Sequence, residues 1–152
     1  MNICDICKHL QDETGRLLAT DKWVVTLAPD QGYLGRCYVT LRSHKGSLSE
    51  LTNAEWQEYI HLVPRLEKAC RQAFNASPFN WACMMNNSYQ AMPANPHVHW
   101  HFRPRYAEPV TLAGVRFADP QFEYHYDCDQ RRTVEPDVFN AIYERLLRAL
   151  ND

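Results

Sequence analysis

The chain has 152 residues, 45% of them hydrophobic and 22% charged, with a formal net charge of −2 and a pI near 6.4. That length suits one domain, residues 1–152, with one sizeable core. The charge excludes a polycation built to hold nucleic-acid polymers, and no run of about 18 apolar residues offers a membrane span.

The opening "MNICDICKHLQDETG" lacks the apolar centre of a signal peptide, so a cytoplasmic protein without disulfides is expected. Cys4 and Cys7 form a C-x-x-C, while Cys37, Cys70, Cys83 and Cys128 are scattered and expected to serve as small core hydrophobes. "KWVVTLA" (22–28) reads as a strand. The loop "PDQGYLG" leads to a second strand, "RCYVTLR" (36–42), in which Cys37, Val39 and Leu41 alternate with Tyr38 and Thr40. The two are expected to pair as an antiparallel hairpin.

Thr52 and Glu55 make a T-x-x-E capping box for a long helix, kinked at Pro64 where one backbone donor is missing. "NWACMMNN" (80–87) reads as a buried strand, "SYQAMPANP" as a loop and "HVHWHFRPR" (97–105) as the next strand. Beyond Tyr106 the pattern loosens; "FEYHYD" is a candidate short strand. Pro136 opens a last helix with a broad apolar stripe, which either packs on the domain or meets a second subunit. The four tryptophans are expected in the core. The order predicts an α+β fold, an antiparallel sheet with a helix on one face.

Three of the seven histidines stand at alternate positions, His97, His99 and His101. A strand sets alternate side chains on one face, about 6.6–6.8 Å apart, with Val98, Trp100 and Phe102 turned to the other. His97 and His99 are near enough to share an ion; His97 and His101, roughly 13 Å apart, are not. The economical division gives one end histidine its own task and leaves the other two facing a substrate. A neutral imidazole is a good nucleophile toward phosphorus, and a phosphoramidate is labile enough for water to clear it. The rivals are a zinc hydrolase with the metal on His97 and His99, and a solvated face that is merely histidine-rich.

"HVHWHFRPRY" resembles the signature of the histidine triad (HIT) family, and "CDIC", "VTLRSH" and "IHLVPRLEKACR" resemble its zinc-carrying microbial branch. The likeness covers a core up to residue 106; residues 107–152 are an extension. It implies a HIT-like antiparallel sheet with one long helix, a homodimer, and a nucleotide hydrolase or nucleotidyl transferase working through a covalent histidine intermediate. Dinucleoside polyphosphates or nucleoside phosphoramidates are the implied substrates. His99 would be the nucleophile, His101 would contact the phosphate and leaving group, and Asn86 would touch the substrate. Cys4, Cys7, His44 and His97 would hold a structural zinc, with no catalytic metal required. The other readings of the cysteines are a redox pair, or two thiols without a metal.

The chain departs from the family around the substrate. Relatives carry Gly-Gln-Ser or Gly-Gln-Thr before the triad where this chain has "MPAN", with Ala94 at the hydroxyl position. Ala28 stands where an acid or amide usually meets the ribose, with Asp30 two residues on, and Gly35-Arg36 replaces Gly-His. Asn87, Ser88, Asn95 and Arg103 are candidate replacement donors, and Arg36 adds charge near a phosphate. A non-catalytic nucleotide-binding protein is the alternative that this altered shell suggests.

Overall fold

The computed structural model describes residues 4–152, so the first three residues of the opening stretch lie outside it. A short helix α1 (Asp5–His9) precedes strands β1 (Arg16–Ala19), β2 (Trp23–Leu27) and β3 (Cys37–Leu41). Helix α2 (Asn53–Phe74), β4 (Phe79–Ala82) and β5 (His99–Pro104) complete the central layer. A small hairpin, β6 (Val110–Leu112) and β7 (Val115–Phe117), and helix α3 (Pro136–Asn151) follow. The five-stranded sheet has the order β1-β2-β3-β5-β4, and every pairing in it is antiparallel. Among the described residues no helix is long and apolar enough to cross a membrane.

The expected hairpin is β2–β3. Trp23, Val25, Leu27, Cys37, Val39 and Leu41 are buried, in one core cluster with Leu62, Leu66, Ala69, Cys70 and Phe74 of α2. The capping box is complete: the Thr52 N–H donates to Glu55 Oε2 (2.7 Å) and the Glu55 N–H to Thr52 Oγ1 (3.3 Å). Pro64 does not break the helix, which runs on to Phe74. Helix α3 packs against α2 and β1, burying Val138, Ile142 and Leu146.

Several local expectations need correction. "NWACMMNN" is not a buried strand: β4 is a half-buried edge that ends at Ala82, and Asn86–Gln90 form a 3-10 turn after Met85 enters the left-handed region. "FEYHYD" is not a strand: it opens in turns, with bonds from the Phe122 N–H to Asp119 O and from the Tyr124 N–H to Gln121 O, and continues as irregular chain. Only Cys37 and Cys70 of the scattered cysteines are fully buried; Cys83 is half-buried and Cys128 exposed. Of the tryptophans, only Trp23 is wholly enclosed.

The segment between β7 and α3 folds back onto the loop between β2 and β3. Asp30 and Thr133 form an isolated bridge, and the Gln130 amide donates to the Gly32 carbonyl (2.8 Å). A Cβ at Gly32 would collide with the Gln130 carbonyl, so the close approach requires glycine there. Arg105, 2% exposed, forms a buried pair with Asp119 (Nε to Oδ2, 2.6 Å) and donates to the carbonyls of Tyr124 and Gln121.

Candidate active site and metal centre

The histidine segment straddles the start of β5. His97 precedes the regular strand and is buried, while His99 and His101 lie within it and are half-buried. The His97 Nε2–H donates to the Leu41 carbonyl (2.7 Å), since a carbonyl can only accept. Its Nδ1 lone pair therefore faces the other way, 3.3 Å from Cys4 Sγ, 3.4 Å from Cys7 Sγ and 3.2 Å from His44 Nδ1.

These four residues bring one ligand atom each to within 4.8 Å of the others. Zinc bonds of about 2.3 Å to thiolate and about 2.0–2.1 Å to imidazole give tetrahedral edges of roughly 3.3–3.8 Å. The Cys4–His97, Cys7–His97, Cys7–His44 and His44–His97 separations, 3.2–3.5 Å, lie close to that; the Cys4–Cys7 sulfurs, at 3.1 Å, are closer together. Burial, then the neighbouring Cys4 thiol, pushes the Cys7 thiol up to about 11. Two thiols and two imidazoles are a donor set suited to zinc, and the Leu41 carbonyl is the kind of outer partner that orients a ligating imidazole. His9, the other histidine near the cysteines, is exposed and outside this group.

His44 sits in an exposed loop, but its neighbours anchor that loop to α2. Ser43 Oγ donates to Glu55 Oε1 (2.8 Å) and Lys45 Nζ to Glu55 Oε2 (2.6 Å). The Val98 N–H in turn donates to the Lys45 carbonyl (2.8 Å), so the capping residue of α2 indirectly sets both metal-facing histidines.

His99 is held differently. Its Nδ1–H donates to the His97 carbonyl (2.8 Å), which fixes the tautomer and leaves Nε2 with a free lone pair. Both His97 nitrogens are committed elsewhere, so a metal shared by His97 and His99 would have to break one of these bonds. The His101 ring lies 5.0 Å from that of His99, and Tyr38 of β3 meets both rings edge-on, at 5.3 Å to His101 and 6.3 Å to His99. Arg36 NH2 donates to His101 Nδ1 at 3.5 Å, leaving the proton on Nε2. Burial, then His99, Arg103 and Arg36, holds His101 down at about 3, so the ring is neutral at physiological pH.

The remaining candidates are distributed unevenly. Asn86 and Asn87 are exposed on the 3-10 turn after β4, and Asn95 is exposed in the loop before His97. Ser88 Oγ is engaged with the Met85 carbonyl (2.8 Å). Asp30 is committed to Arg36 and to the backbone N–H groups of Gly32 and Arg132. Arg103 is on the same face of β5 as His99 and His101, with Tyr126 over its guanidinium at 4.2 Å. Sequence reasoning missed Tyr38, although its alternation with buried Val39 marks it as facing the histidines. It also missed Tyr126, which no local pattern singles out.

A family model for the HIT domain matches residues 10–108. The chain belongs to the HIT family. Among curated relatives, "Protein hit" of Bacillus subtilis is 25% identical over 107 residues, which is 69% of this chain and 72% of that protein. Among solved structures, a hypothetical histidine triad nucleotide-binding protein from Sulfolobus tokodaii superposes with a TM-score of 0.69 at 15% identity, covering 97% of this chain and 92% of the other. A Zn-bound histidine triad family protein from Mycobacterium smegmatis does so with a TM-score of 0.61 at 16% identity, over 95% of this chain and 94% of its own. The HIT resemblance read from the triad is thereby established, and with it the α+β fold. At these identities the structures speak to the HIT fold alone.

Proposed function

We propose that this chain is a nucleotide hydrolase or nucleotidyl transferase with His99 as its nucleophile. The observation that carries the reading is the bond from His99 Nδ1–H to the His97 carbonyl, which presents Nε2 unprotonated on a rigid strand. The Nε2 lone pair forms a bond to the α-phosphorus of a phosphate-linked nucleotide, and the bond to the leaving group breaks with its electron pair. Water then attacks the same phosphorus, the P–N bond breaks and the imidazole is restored. His101, neutral and carrying its proton on Nε2, donates a hydrogen bond to a phosphoryl oxygen as charge develops. Asn86, Asn87 and Asn95 supply polar contacts to the nucleotide from the neighbouring turn and loop.

Cys4, Cys7, His44 and His97 hold a structural zinc that pins the N-terminal segment to the sheet. The Zn-bound Mycobacterium relative supports that assignment. The ion is placed to shape the strand entering β5.

The test pairs turnover with trapping. Wild-type protein is incubated with a nucleotide substrate labelled at the α-phosphate and quenched in base, where a histidine adduct survives. Label should remain on the protein at His99, and His99→Ala should lose both the adduct and turnover while keeping its zinc and its melting temperature. Undiminished turnover by His99→Ala would refute the nucleophile.

A further inference from the structure

Beyond His101, the same face of the sheet carries two arginines side by side. The β3–β5 register pairs Cys37 with Phe102, and continuing it by one step sets Arg36 against Arg103. Like charges directly opposite on neighbouring strands are destabilising. Asp30 compensates Arg36, but among the described residues no carboxylate lies within ion-pairing distance of Arg103. Arg103 is 5% exposed, and its NH1 is buried without a hydrogen-bond partner, as is Nε of Arg36. The Tyr126 ring engages the Arg103 guanidinium face, and such stacking leaves the edge donors uncommitted. A buried guanidinium with idle donors is costly to keep unless an anion uses it. Arg36 meanwhile reaches His101 Nδ1, which links the pair to the two central histidines.

We propose that Arg36 and Arg103 form a seat for a phosphate group on the leaving half of the substrate. The choice of scissile bond rests on the His99 reading above. When His99 attacks, the bond from the α-phosphorus to the bridging oxygen breaks, and the oxygen departs with the electron pair. The charge that appears on the departing phosphate is met by two guanidinium groups, whose planar forks suit its oxygens. The acidity of His101 agrees with this. A ring held down at about 3 carries no imidazolium proton at neutral pH to give an amine leaving group, whereas a phosphate leaves as an anion without one.

The probe is inorganic pyrophosphate, titrated by calorimetry into the zinc-loaded full chain. Wild type should bind it, and Arg36→Gln and Arg103→Met should each weaken binding by about tenfold or more. No binding to wild type, or equal binding by wild type and both variants, overturns the seat. The measurement needs no turnover, so its failure is separate from failure of the nucleophile, which the His99→Ala adduct assay decides. Thermal melting in phosphate-free buffer guards against a folding defect. Removing an unpaired buried cation should leave the Arg103→Met melting temperature no lower than wild type and unresponsive to added pyrophosphate. A sharply lowered melting temperature for Arg103→Met, together with wild-type binding by Arg36→Gln, would make Arg103 structural and overturn the proposal.

Discussion

Glu55→Gln tests the knot that joins the cap of α2 to the loop carrying His44. Burial alone would raise the Glu55 pKa, but the Lys45 ammonium, the Thr52 N–H and the Ser43 and Thr52 hydroxyls outweigh it and bring it from the ordinary 4.5 to about 2. That difference corresponds to about 3 kcal/mol of preference for the charged form in the folded state. The Lys45 side chain is 20% exposed, so solvent screens part of this. A loss of about 2 kcal/mol at neutral pH is the expected cost of the substitution. A carboxylate whose folded pKa is depressed contributes fully above its unfolded value, and the contribution fades as pH falls through the folded value. The gap between wild type and Glu55→Gln should therefore be constant at neutral pH and narrow from about pH 4.5 toward about 2. Urea denaturation followed by tryptophan fluorescence, on chelator-treated protein at several pH values, measures it. A gap below about 0.5 kcal/mol at neutral pH, or one that stays constant into acid, would show that the knot does not carry this energy.

Other consequences are equally open to measurement. Cys4→Ser and His97→Ala should each lower zinc content from one ion per chain, read by atomic absorption, while Cys37→Ser should not. His101 has a folded pKa depressed to about 3, so the unfolded chain binds more protons between that value and 6.5 and stability falls as pH drops through this window. His101→Asn should flatten that acid loss in urea midpoints taken across the same range. Asp119→Asn leaves Arg105 buried beside a neutral amide and should cost about 3–5 kcal/mol, with protease cleavage appearing between residues 119 and 133. Gly32→Ala should loosen the same segment, since its methyl group meets the Gln130 carbonyl; unchanged proteolysis would contradict that packing.

Where the chain advertises its structure locally, reading it was straightforward. The alternation in "RCYVTLR" marks β3, and Thr52 with Glu55 marks the start of α2. Strand β1 escaped because adjacent Leu17 and Leu18 show no alternation, one being buried and the other half-buried. The apolar run ending in Met84 and Met85 mimics a central strand, but position in a sheet is decided by partners, and β4 has only β5. The segment from Asp119 to Thr133 has no periodicity at all. Its order comes from long-range bonds such as Arg105 to Asp119 and Gln130 to Gly32. For the same reason the histidine spacing was legible while the union of Arg103 with Tyr126 was not. The first is a property of one strand; the second exists only after the extension docks.

One backbone oxygen joins the two sites. The residue whose ring faces the two thiols also lends its peptide carbonyl to the neighbouring imidazole, 2.8 Å away. An ion on the other ring nitrogen would add a second anchor to the one that the Leu41 carbonyl supplies, and its removal would loosen the His97 main chain. The next ring along would then lose the constraint that decides where its hydrogen sits. On the proposed reading, chelators would slow turnover by scrambling a tautomer, without the ion ever touching phosphorus.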